Sequence, residues 1–477
     1  MSLGLRVIAC LCALGLAALG TTGPASSSTR GSSPSNGHVV SEVDPLRSVI
    51  VLSPSTEERR EIYYLYGDSP LLVLSYTEGM VEQHRIFSDL LRKNGVETLD
   101  MVDLLDNALS NARRAGKLDE ALARILPDQY PRLGENKGRL TASALLGRSP
   151  EFFFQTNEKG ALDPLVPLSA AFFYTRDFAV STPRGIILTN SRYRWRKLEH
   201  RLGRFVFQFA DGLRDHPIVF DAEAEGVRCE GGDILVQDEK TILMGIGNCS
   251  DPEAARKIAQ KLNMNVVGVS MPPTDKSSGA NFQIMHLDTV FNIVDHDKVL
   301  TVPYLFLKRY AIDNPIVRYL KAVNDQPKEE LAKGEVDLPA ALDTAIEVIP
   351  KVGWLTLFQA GSGEPRELGT KLGDYLLEQG YKIIPVGGEI GGLSEGRYID
   401  ERALYELSLQ GANVVQLSPG KIIAYKHNKF TNLALESQGI EALAFEGKYL
   451  ADQLGGPHCL TMPLVRAKIS APGVRKK

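Results

Sequence analysis

The fold is decided by residues 230–262, which read EGGDILVQDEKTILMGIGNCSDPEAARKIAQKL. Within Asp233–Met244, two short apolar runs flank the polar pair Asp238-Glu239, and this pattern predicts a β-hairpin with a tight turn. Asp251 and Pro252 then give the start signal of a helix, and helical spacing continues to Leu262. The stretch is therefore one strand–turn–strand–helix unit.

The same unit recurs along the chain. Three further hairpins are predicted, each with Pro, Gly or Asp residues at its turn: Phe178–Leu188, Thr289–Thr301 and Asn413–Tyr425. The chain also predicts a strand at Ser48–Leu52 and helices at Gly79–Asn94, Arg194–Asp211 and Thr431–Gln438. One unit cannot bury its apolar face alone, so the repetition favours a closed radial array in an α/β protein.

Two stretches interrupt this repetition. Residues 99–148 contain predicted helices at Val102–Asn111 and Leu118–Leu126, and they are interpreted as an inserted helical subdomain. Residues 323–346 are rich in charge and predict a solvated surface excursion. Simple loop elaboration is the alternative for both stretches, and neither contains residues that suggest chemistry.

The composition is that of an ordinary globular protein. Of 477 residues, 43% are hydrophobic and 23% are charged, which is ample material for a core. The formal net charge of −4 gives no basic surface. Nucleic acid is therefore not expected as a partner.

The N-terminus predicts export. Residues 1–25 combine Arg6, the apolar run Val7–Leu19 and a small-residue cleavage site at Ala18-Leu19-Gly20, as a secretory signal does. An uncleaved membrane anchor is the alternative, although the run is short for a bilayer. Residues 26–37 are rich in Ser and Gly and predict a disordered linker. The mature catalytic domain is then 38–470, outside the cell or in the periplasm, with no membrane attachment after cleavage.

Three of the five cysteines remain after signal cleavage, namely Cys229, Cys249 and Cys459. An odd number in an exported protein leaves at least one free thiol or a pairing between chains. Pairing Gln237 with Lys240 in the hairpin places Cys229 opposite Asn248, one residue away from Cys249. A cross-strand disulfide and two separate buried thiols both stay open.

Four polar clusters each lie at the end of a strand-like run. They are Thr-Arg-Asp at 175–177, Glu-Gly-Gly-Asp at 230–233, His-Leu-Asp at 286–288 and His-Cys at 458–459. Together they supply one thiol, imidazole groups and several carboxylates. Carboxylates hold a cation while a thiolate attacks it, so this set suits covalent attack on the carbon of a permanently cationic group.

The order and surroundings of these clusters resemble the arginine deiminase branch of the guanidine-modifying superfamily. The resemblance begins at Ser41-Glu42 and Pro45-Leu46-Arg47, and it ends at Cys459-Leu460-Thr461-Met462-Pro463, so it covers almost all of the mature chain. It implies the pentein fold, a five-fold pseudosymmetric α/β propeller with its active site in a central channel. It also implies a helical insertion where residues 99–148 stand.

The resemblance assigns a role to each cluster. Cys459, approached by the Gly-rich run 455–458, becomes the nucleophile, and His286 becomes the general acid and base. Asp177, Asp288 and Glu230 become the holders of the guanidinium group, whose five donors match bidentate carboxylates. His286 and Asp288 are two residues apart and are expected on the same face of a strand. Glu230 is expected to contact both the substrate and His286.

Recognition of the rest of the substrate departs from the family pattern. Arg196 matches a position that binds the α-carboxylate of arginine, and Asn413 matches an asparagine that contacts the amino-acid end. Two other basic residues usual in the family are replaced, because Gly245–Cys249 stands at one position and Leu454 at the other. An unpaired carboxylate is costly to desolvate, so either another group compensates or the substrate lacks a free α-carboxylate.

The resemblance thus implies an exported hydrolase that converts arginine or a derivative into a ureido product and ammonia. No metal and no organic cofactor is expected, and the formation of a homo-oligomer stays open. One alternative keeps the fold and changes the reaction, giving an amidinotransferase or a hydrolase of modified arginine or agmatine. Another is an inactive pentein that serves as a binding module, against which the retention of Cys459, His286, Glu230 and Asp177 argues.

Overall fold

The computed structural model describes residues 39–56, 78–149, 171–272, 284–324, 338–388 and 398–468, together with residues 152, 154–156, 162–164 and 166. The predicted signal 1–25 and linker 26–37 lie outside the described residues. Residues 325–337, the middle of the predicted charged excursion, also lie outside them. All described residues belong to one unit, Gly37–Lys477.

The described chain is mixed α/β, as the alternation of hairpin and helix patterns predicts. The strands in chain order are β1 (Leu46–Val51), β2 (Glu97–Asp100), β3 (Phe154–Thr156), β4 (Leu162–Pro164), β5 (Ala179–Thr182), β6 (Gly185–Leu188), β7 (Ile218–Asp221), β8 (Ile234–Asp238), β9 (Thr241–Ile246), β10 (Asn265–Ser270), β11 (Phe291–Asp295), β12 (Lys298–Thr301), β13 (Trp354–Phe358), β14 (Pro365–Lys371), β15 (Lys382–Pro385), β16 (Val415–Ser418), β17 (Lys421–Tyr425), β18 (Glu441–Phe445) and β19 (Met462–Arg466).

The α-helices of the described residues are Glu78–Lys93, Met101–Arg114, Leu118–Ile125, Tyr130–Leu133, Ala142–Leu145, Lys197–Phe209, Pro252–Leu262, Pro303–Phe306, Pro315–Asn324, Leu338–Val348, Leu372–Glu378, Tyr398–Ser408, Lys429–Ser437 and Lys448–Ala451. Short 3-10 turns are found at Gly134–Arg139, Thr175–Phe178, Arg194–Arg196, Gly231–Asp233, Leu287–Thr289, Lys308–Tyr310 and Ile349–Lys351. None of the helices in the described ranges combines the length and the apolar character needed to cross a membrane.

Five sets of three strands share one order within the described residues, and each set is called a sheet unit. In each unit the first two strands pair antiparallel and the third lies parallel to the second. In the sequence, at least one helix lies between the second and third strands of each unit. The units are β19–β1–β2, β5–β6–β7, β8–β9–β10, β11–β12–β15 and β16–β17–β18. The four predicted hairpins and their repetition are therefore confirmed.

The unit built from residues 230–270 explains why the pattern folds this way. The apolar residues of β8 and β9 are buried on both faces, because the helix Pro252–Leu262 and other elements cover them. That helix has its predicted bounds and buries a single stripe that includes Ala255, Ile258 and Leu262. Asp251 is the residue before it, but its carboxylate accepts from Arg228 and makes no capping hydrogen bond, contrary to the prediction.

The predicted register of this hairpin is wrong. Asp238 pairs with Thr241, and an irregularity between Val236 and Asp238 shifts the rest of the ladder relative to simple counting. Cys229 lies opposite Asn190 in an isolated bridge. Both Cys229 and Cys249 are free buried thiols, so the reading as two separate thiols is confirmed and the disulfide is not formed.

The helix-rich stretch 99–148 is helical as predicted. Its apolar residues share one hydrophobic cluster with the hairpin β5–β6, with β19 and with the helix Lys197–Phe209. A further hairpin, β13–β14, extends the sheet of β8–β10 by pairing β13 with β10, and the sequence pattern did not predict it.

Candidate active site

The predicted site residues other than Arg196 lie in five short segments, each placed just before the first strand of a sheet unit, whereas Arg196 ends the 3-10 turn after β6. We call them the site turns: residues 175–178 before β5, 230–233 before β8, 286–289 before β11, 413–414 before β16 and 457–461 before β19. The repeated fold therefore delivers one polar segment from the same place in every unit.

Hydrogen bonds join the five site turns into a closed cycle. Each turn contacts the next one in the order of the units, and the last contacts the first. The bonds are Arg176 N to Cys459 O at 3.1 Å, Gly232 N to Asp177 Oδ1 at 3.0 Å, Leu287 N to Asp233 Oδ1 at 3.0 Å, Asn413 Nδ2 to Asp288 O at 3.1 Å, and Cys459 N to Asn413 Oδ1 at 3.1 Å. Because backbone groups take part in every link, each turn fixes the position of its neighbours.

The thiol of Cys459 is buried and lies beside a carboxylate. Its Sγ is 3.0 Å from Nδ2 of Asn413 and 3.7 Å from Oδ2 of Asp288. Burial raises the pKa of Cys459, and the carboxylates of Asp288 and Asp177 raise it further, so it lies well above the ordinary value although His286 acts in the opposite direction. The thiol is therefore protonated at neutral pH in these surroundings.

His286 lies between two carboxylates. Its Nε2 is 3.2 Å from Oε2 of Glu230, and its Nδ1 is 3.6 Å from Oδ1 of Asp177. Burial opposes charging of the ring, but Asp177, Cys249 and Glu230 together raise the pKa of His286 well above its ordinary value. The expected contact between Glu230 and His286 is present, and the ring is an imidazolium at neutral pH.

Asp288 has one occupied and one unpartnered carboxylate oxygen. Oδ2 accepts from Nδ1 of His458 at 2.8 Å, whereas Oδ1 is buried without a hydrogen-bond partner in the described part of the chain. His286 precedes the 3-10 turn Leu287–Thr289, so the expectation that His286 and Asp288 share a strand is wrong. The two residues nevertheless meet around Gly232, where an added Cβ would lie 2.6 Å from Nδ1 of His286 and 3.0 Å from Oδ1 of Asp288.

Behind Asp288 a buried polar network holds His458 in place. Nε2 of His458 is 3.6 Å from Oε2 of Glu42, and Glu42 pairs with Arg176 at 2.9 Å. Burial opposes ionisation of Glu42, but Arg176 and His458 hold its pKa well below the ordinary value. Since the neighbours of Asp288 are themselves anchored, its carboxylate keeps one orientation beside the thiol.

The guanidinium group of Arg196 is paired with carboxylates of the protein. Its Nη1 is 2.8 Å from Oδ2 of Asp177 and 2.9 Å from Oε2 of Glu230, and its Nη2 is 2.8 Å from Glu199. Arg196 therefore contacts two of the three carboxylates that the resemblance assigns to the substrate guanidinium. Burial opposes ionisation of Glu230, but Arg196 and His286 hold its pKa well below the ordinary value.

Asn413 and Asp233 position the other site groups. The Asn413 side chain bonds the backbone N–H and the thiol of Cys459, and it also donates to the backbone carbonyl of Asp288. Asp233 accepts from the N–H of Leu287 and, at 2.6 Å, from the hydroxyl of Ser250, so it holds the turn that carries His286. Burial raises the pKa of Asp233 to about 7.

Sequence reasoning did not place Cys249 in the site. Its thiol is buried, and ligand atoms of Glu230, Cys249 and His286 all lie within 4.8 Å of one another. The available signal was the replacement of a usual arginine in the run Gly245–Cys249. That signal was interpreted only as a loss of substrate binding.

Comparison with known proteins gives a consistent result. The arginine deiminase family profile matches residues 153–466. The arginine deiminase of Metamycoplasma arthritidis is 26% identical over 455 residues, covering 91% of this chain and 97% of that protein. The arginine deiminase of Borrelia duttonii is 25% identical over 464 residues, covering 91% of this chain and 98% of that protein.

Two solved structures are similar at low identity. The N-terminal domain of ArgZ, a cyanobacterial arginine dihydrolase solved with its substrate, has a TM-score of 0.47 at 12% identity and covers 88% of this chain and 98% of its own. SxtG, an amidinotransferase from Microseira wollei, has a TM-score of 0.47 at 12% identity and covers 91% of this chain and 98% of its own. The family profile, by contrast, spans every polar cluster described above.

Proposed function

Because this chain belongs to the arginine deiminase family, we propose that it hydrolyses a small guanidino compound to a ureido product and ammonia through a covalent intermediate on Cys459. The observation that carries the proposal is the buried, unpartnered Oδ1 of Asp288 on the carboxylate that lies 3.7 Å from the thiol. A buried carboxylate oxygen is costly without a donor, and guanidinium supplies donors and charge together.

In this proposal the substrate activates its own nucleophile. Burial and then the carboxylates of Asp288 and Asp177 raise the pKa of the Cys459 thiol, and a bound guanidinium places a compensating positive charge beside the sulfur. The thiol then gives its proton to solvent water, from which the released ammonia later recovers it, and the thiolate attacks the guanidinium carbon. The carbon–sulfur bond forms as one carbon–nitrogen π bond becomes a nitrogen lone pair.

His286 transfers the protons of both steps. As an imidazolium it gives a proton to the departing nitrogen, which leaves as ammonia. An S-alkyl thiouronium group then remains on Cys459. The neutral ring then takes a proton from water, which attacks the same carbon, and the thiol leaves to give the ureido product. Water and guanidinium thus become the ureido group and ammonium, with no oxidant or reductant.

The residues expected to bind the end of the substrate opposite its guanidinium group favour a second candidate substrate. Arg196 is held by Asp177, Glu230 and Glu199, so binding an α-carboxylate through it would require breaking buried ion pairs. The run Gly245–Cys249 and Leu454 lie where the family usually has basic residues. These observations favour a substrate whose far end lacks a carboxylate, such as agmatine, over free arginine.

The test compares guanidino substrates directly. The purified protein is incubated with arginine, agmatine, methylated arginine and an arginine-containing peptide, and ammonia and the ureido product are quantified. An amine acceptor in a parallel reaction detects amidino transfer. Cys459→Ser is expected to abolish turnover while the far-ultraviolet circular dichroism stays unchanged. No turnover with any substrate, together with failure of a haloacetamidine to label Cys459, would refute the proposal and favour an inactive binding module.

We also infer that the five sheet units form the five-bladed pentein propeller. The closed cycle of hydrogen bonds among the five site turns supports this arrangement, because each unit supplies one member of the cycle. The helix-rich stretch 99–148 is then an insertion between the first two units in chain order. A crystal structure in which the five site turns do not converge would contradict the inference.

We propose finally that the protein is exported after cleavage of residues 1–25. The support is the sequence alone, with Arg6 before the apolar run Val7–Leu19. N-terminal sequencing of the protein recovered from its native host tests this. An N-terminus that still begins at Met1 would favour retention of the segment as an anchor.

A further inference from the structure

A second thiol lies against the general acid and base. Cys249 is buried, and its Sγ lies within 4.8 Å of a ring nitrogen of His286. Nothing in the proposed hydrolysis uses this thiol, because the nucleophile is Cys459 and the proton carrier is His286. A buried cysteine can be a simple packing residue, but this one shares its surroundings with two further ligand-type side chains.

The three side chains offer one sulfur, one nitrogen and one oxygen. Ligand atoms of Glu230, Cys249 and His286 lie within 4.8 Å of one another, and the nitrogen–oxygen pair is 3.2 Å apart. Tetrahedral Zn²⁺ holds such donors at about 2.0 to 2.3 Å each, and thiolate, imidazole and carboxylate are its usual protein ligands. Small side-chain shifts therefore suffice to bring all three onto one ion.

We propose that Glu230, Cys249 and His286 form a binding site for a thiophilic divalent cation, with Zn²⁺ as the preferred ion, and that occupation of this site inhibits the enzyme. The binding part of the proposal stands independently of the proposed hydrolysis, and the inhibitory part rests on it. Inhibition follows because the ion engages the ring that must carry protons and a carboxylate that the family resemblance assigns to the substrate guanidinium.

Binding of the ion releases protons from its ligands. A cysteine binds the ion as a thiolate, and a histidine binds it as a neutral imidazole. The ion replaces one proton on each, so up to two protons are released and the affinity rises with pH.

The neighbouring Arg196 does not prevent this binding. Its positive charge is shared by Asp177 and Glu199 as well as by Glu230. Glu230 also has a second oxygen, Oε1, whose present partner is the hydroxyl of Ser191 at 2.5 Å. A carboxylate oxygen can accept that hydrogen bond and bind an ion at the same time.

The test is a direct titration of the purified protein with Co²⁺ as the spectroscopic probe and with Zn²⁺ in a calorimeter. Wild type is expected to develop a thiolate-to-cobalt charge-transfer band with one ion per chain. Cys249→Ser is expected to lose the band and to weaken Zn²⁺ binding by at least about 100-fold, since even indirect partners of a metal are worth 10- to 100-fold. The buried thiols Cys229 and Cys459 provide matched controls.

The controls decide which thiol binds the ion. Cys229→Ser and Cys459→Ser are both expected to keep the band, and His286→Asn is expected to weaken it without a change in circular dichroism. Loss of the band in Cys459→Ser, or its full retention in Cys249→Ser, would overturn the proposal, as would absence of Co²⁺ and Zn²⁺ binding by wild type. The ratio of inhibitory Zn²⁺ concentrations for Cys249→Ser and wild type then tests the inhibitory part separately.

Discussion

Replacing Gly232 by alanine tests the geometry of the site with a single added carbon. That Cβ would lie 2.6 Å from Nδ1 of His286, which is 0.8 Å short of the 3.4 Å at which ordinary contact begins, and 3.0 Å from Oδ1 of Asp288. The backbone of Gly232 does not lie in the left-handed region, so the side chains and not the backbone must yield. The ring and the carboxylate are therefore pushed apart by somewhat less than 1 Å.

This displacement has a calculable cost. A misplacement of about 1 Å in a reacting group costs about 100-fold in rate. That factor corresponds to about 2.7 kcal/mol of activation free energy. Overpacking in a buried site costs about 1–3 kcal/mol of unfolding free energy. We expect kcat/KM of Gly232→Ala to fall about 100-fold while the protein remains folded.

The assay measures kcat/KM with the best guanidino substrate and the free energy of unfolding by urea titration. Gly373→Ala is the matched control, because its Cβ would be equally crowded, 2.8 Å from the carbonyl oxygen of Phe306, but away from the site turns. It should lose stability and keep its activity. Gly138→Ala, which meets no atom within 4 Å, should change neither. Activity of Gly232→Ala within threefold of wild type would refute the geometry.

Three further predictions concern charge. Asp177→Asn should raise KM at least about tenfold, because the amide lacks the charge that a guanidinium pairs with; an unchanged KM would remove Asp177 from substrate binding. His458→Ala should lower kcat/KM about tenfold or more, because it removes the 2.8 Å hydrogen bond to Asp288. His458→Gln can still donate this hydrogen bond and should recover part of the lost activity. Equal loss of activity in both variants would contradict a positioning role. Burial lowers the pKa of His84 to about 3, below its unfolded value, so its contribution to stability is present above about pH 6.5 and is lost as the pH falls. Between pH 7 and pH 5, the unfolding free energy of His84→Gln should therefore drop about 2 kcal/mol less than that of wild type in urea titrations.

The parts of the fold predicted from sequence are those encoded locally. The hairpin of Asp233–Met244 and the helix Pro252–Leu262 depend on turn residues and on apolar spacing, and both were confirmed. The third strand of each unit was not predicted, because it pairs with a strand distant in sequence and is often half exposed, as in Glu441–Phe445. The predicted register of the hairpin was wrong because an irregularity between Val236 and Asp238 shifts the strand pairing, and counting residues from the turn does not reveal it.

The candidate site, like the fold, was predicted only in part from the sequence. The resemblance indicated which residues meet, whereas the predicted place of the clusters at the ends of strand-like runs was wrong, because each cluster precedes the first strand of a sheet unit. The sequence did not indicate how Arg196 is oriented, because ion pairs with Asp177 and Glu230 depend on tertiary positions. Cys249 was interpreted as a disulfide partner or a separate buried thiol, because a sequence does not show that its neighbour in space is His286.

The electrostatics of the site connect binding to reactivity. The cations Arg196 and His286 contact three buried carboxylates, Asp177, Glu199 and Glu230, and two further buried carboxylates, Asp233 and Asp288, belong to the site turns of Glu230 and His286. Burial raises the pKa of Glu199 and of Asp233 to about 7, which is how buried acids respond when too few positive charges are near. Burial, together with this excess of negative charge, also raises the pKa of the Cys459 thiol. A guanidinium relieves the excess and lowers the pKa of the thiol in one step, so the nucleophile forms only where its target is bound. A neutral isostere of the substrate should therefore bind weakly and leave Cys459 slow to react with alkylating agents, whereas a guanidinium that fills only the carboxylate end should accelerate alkylation.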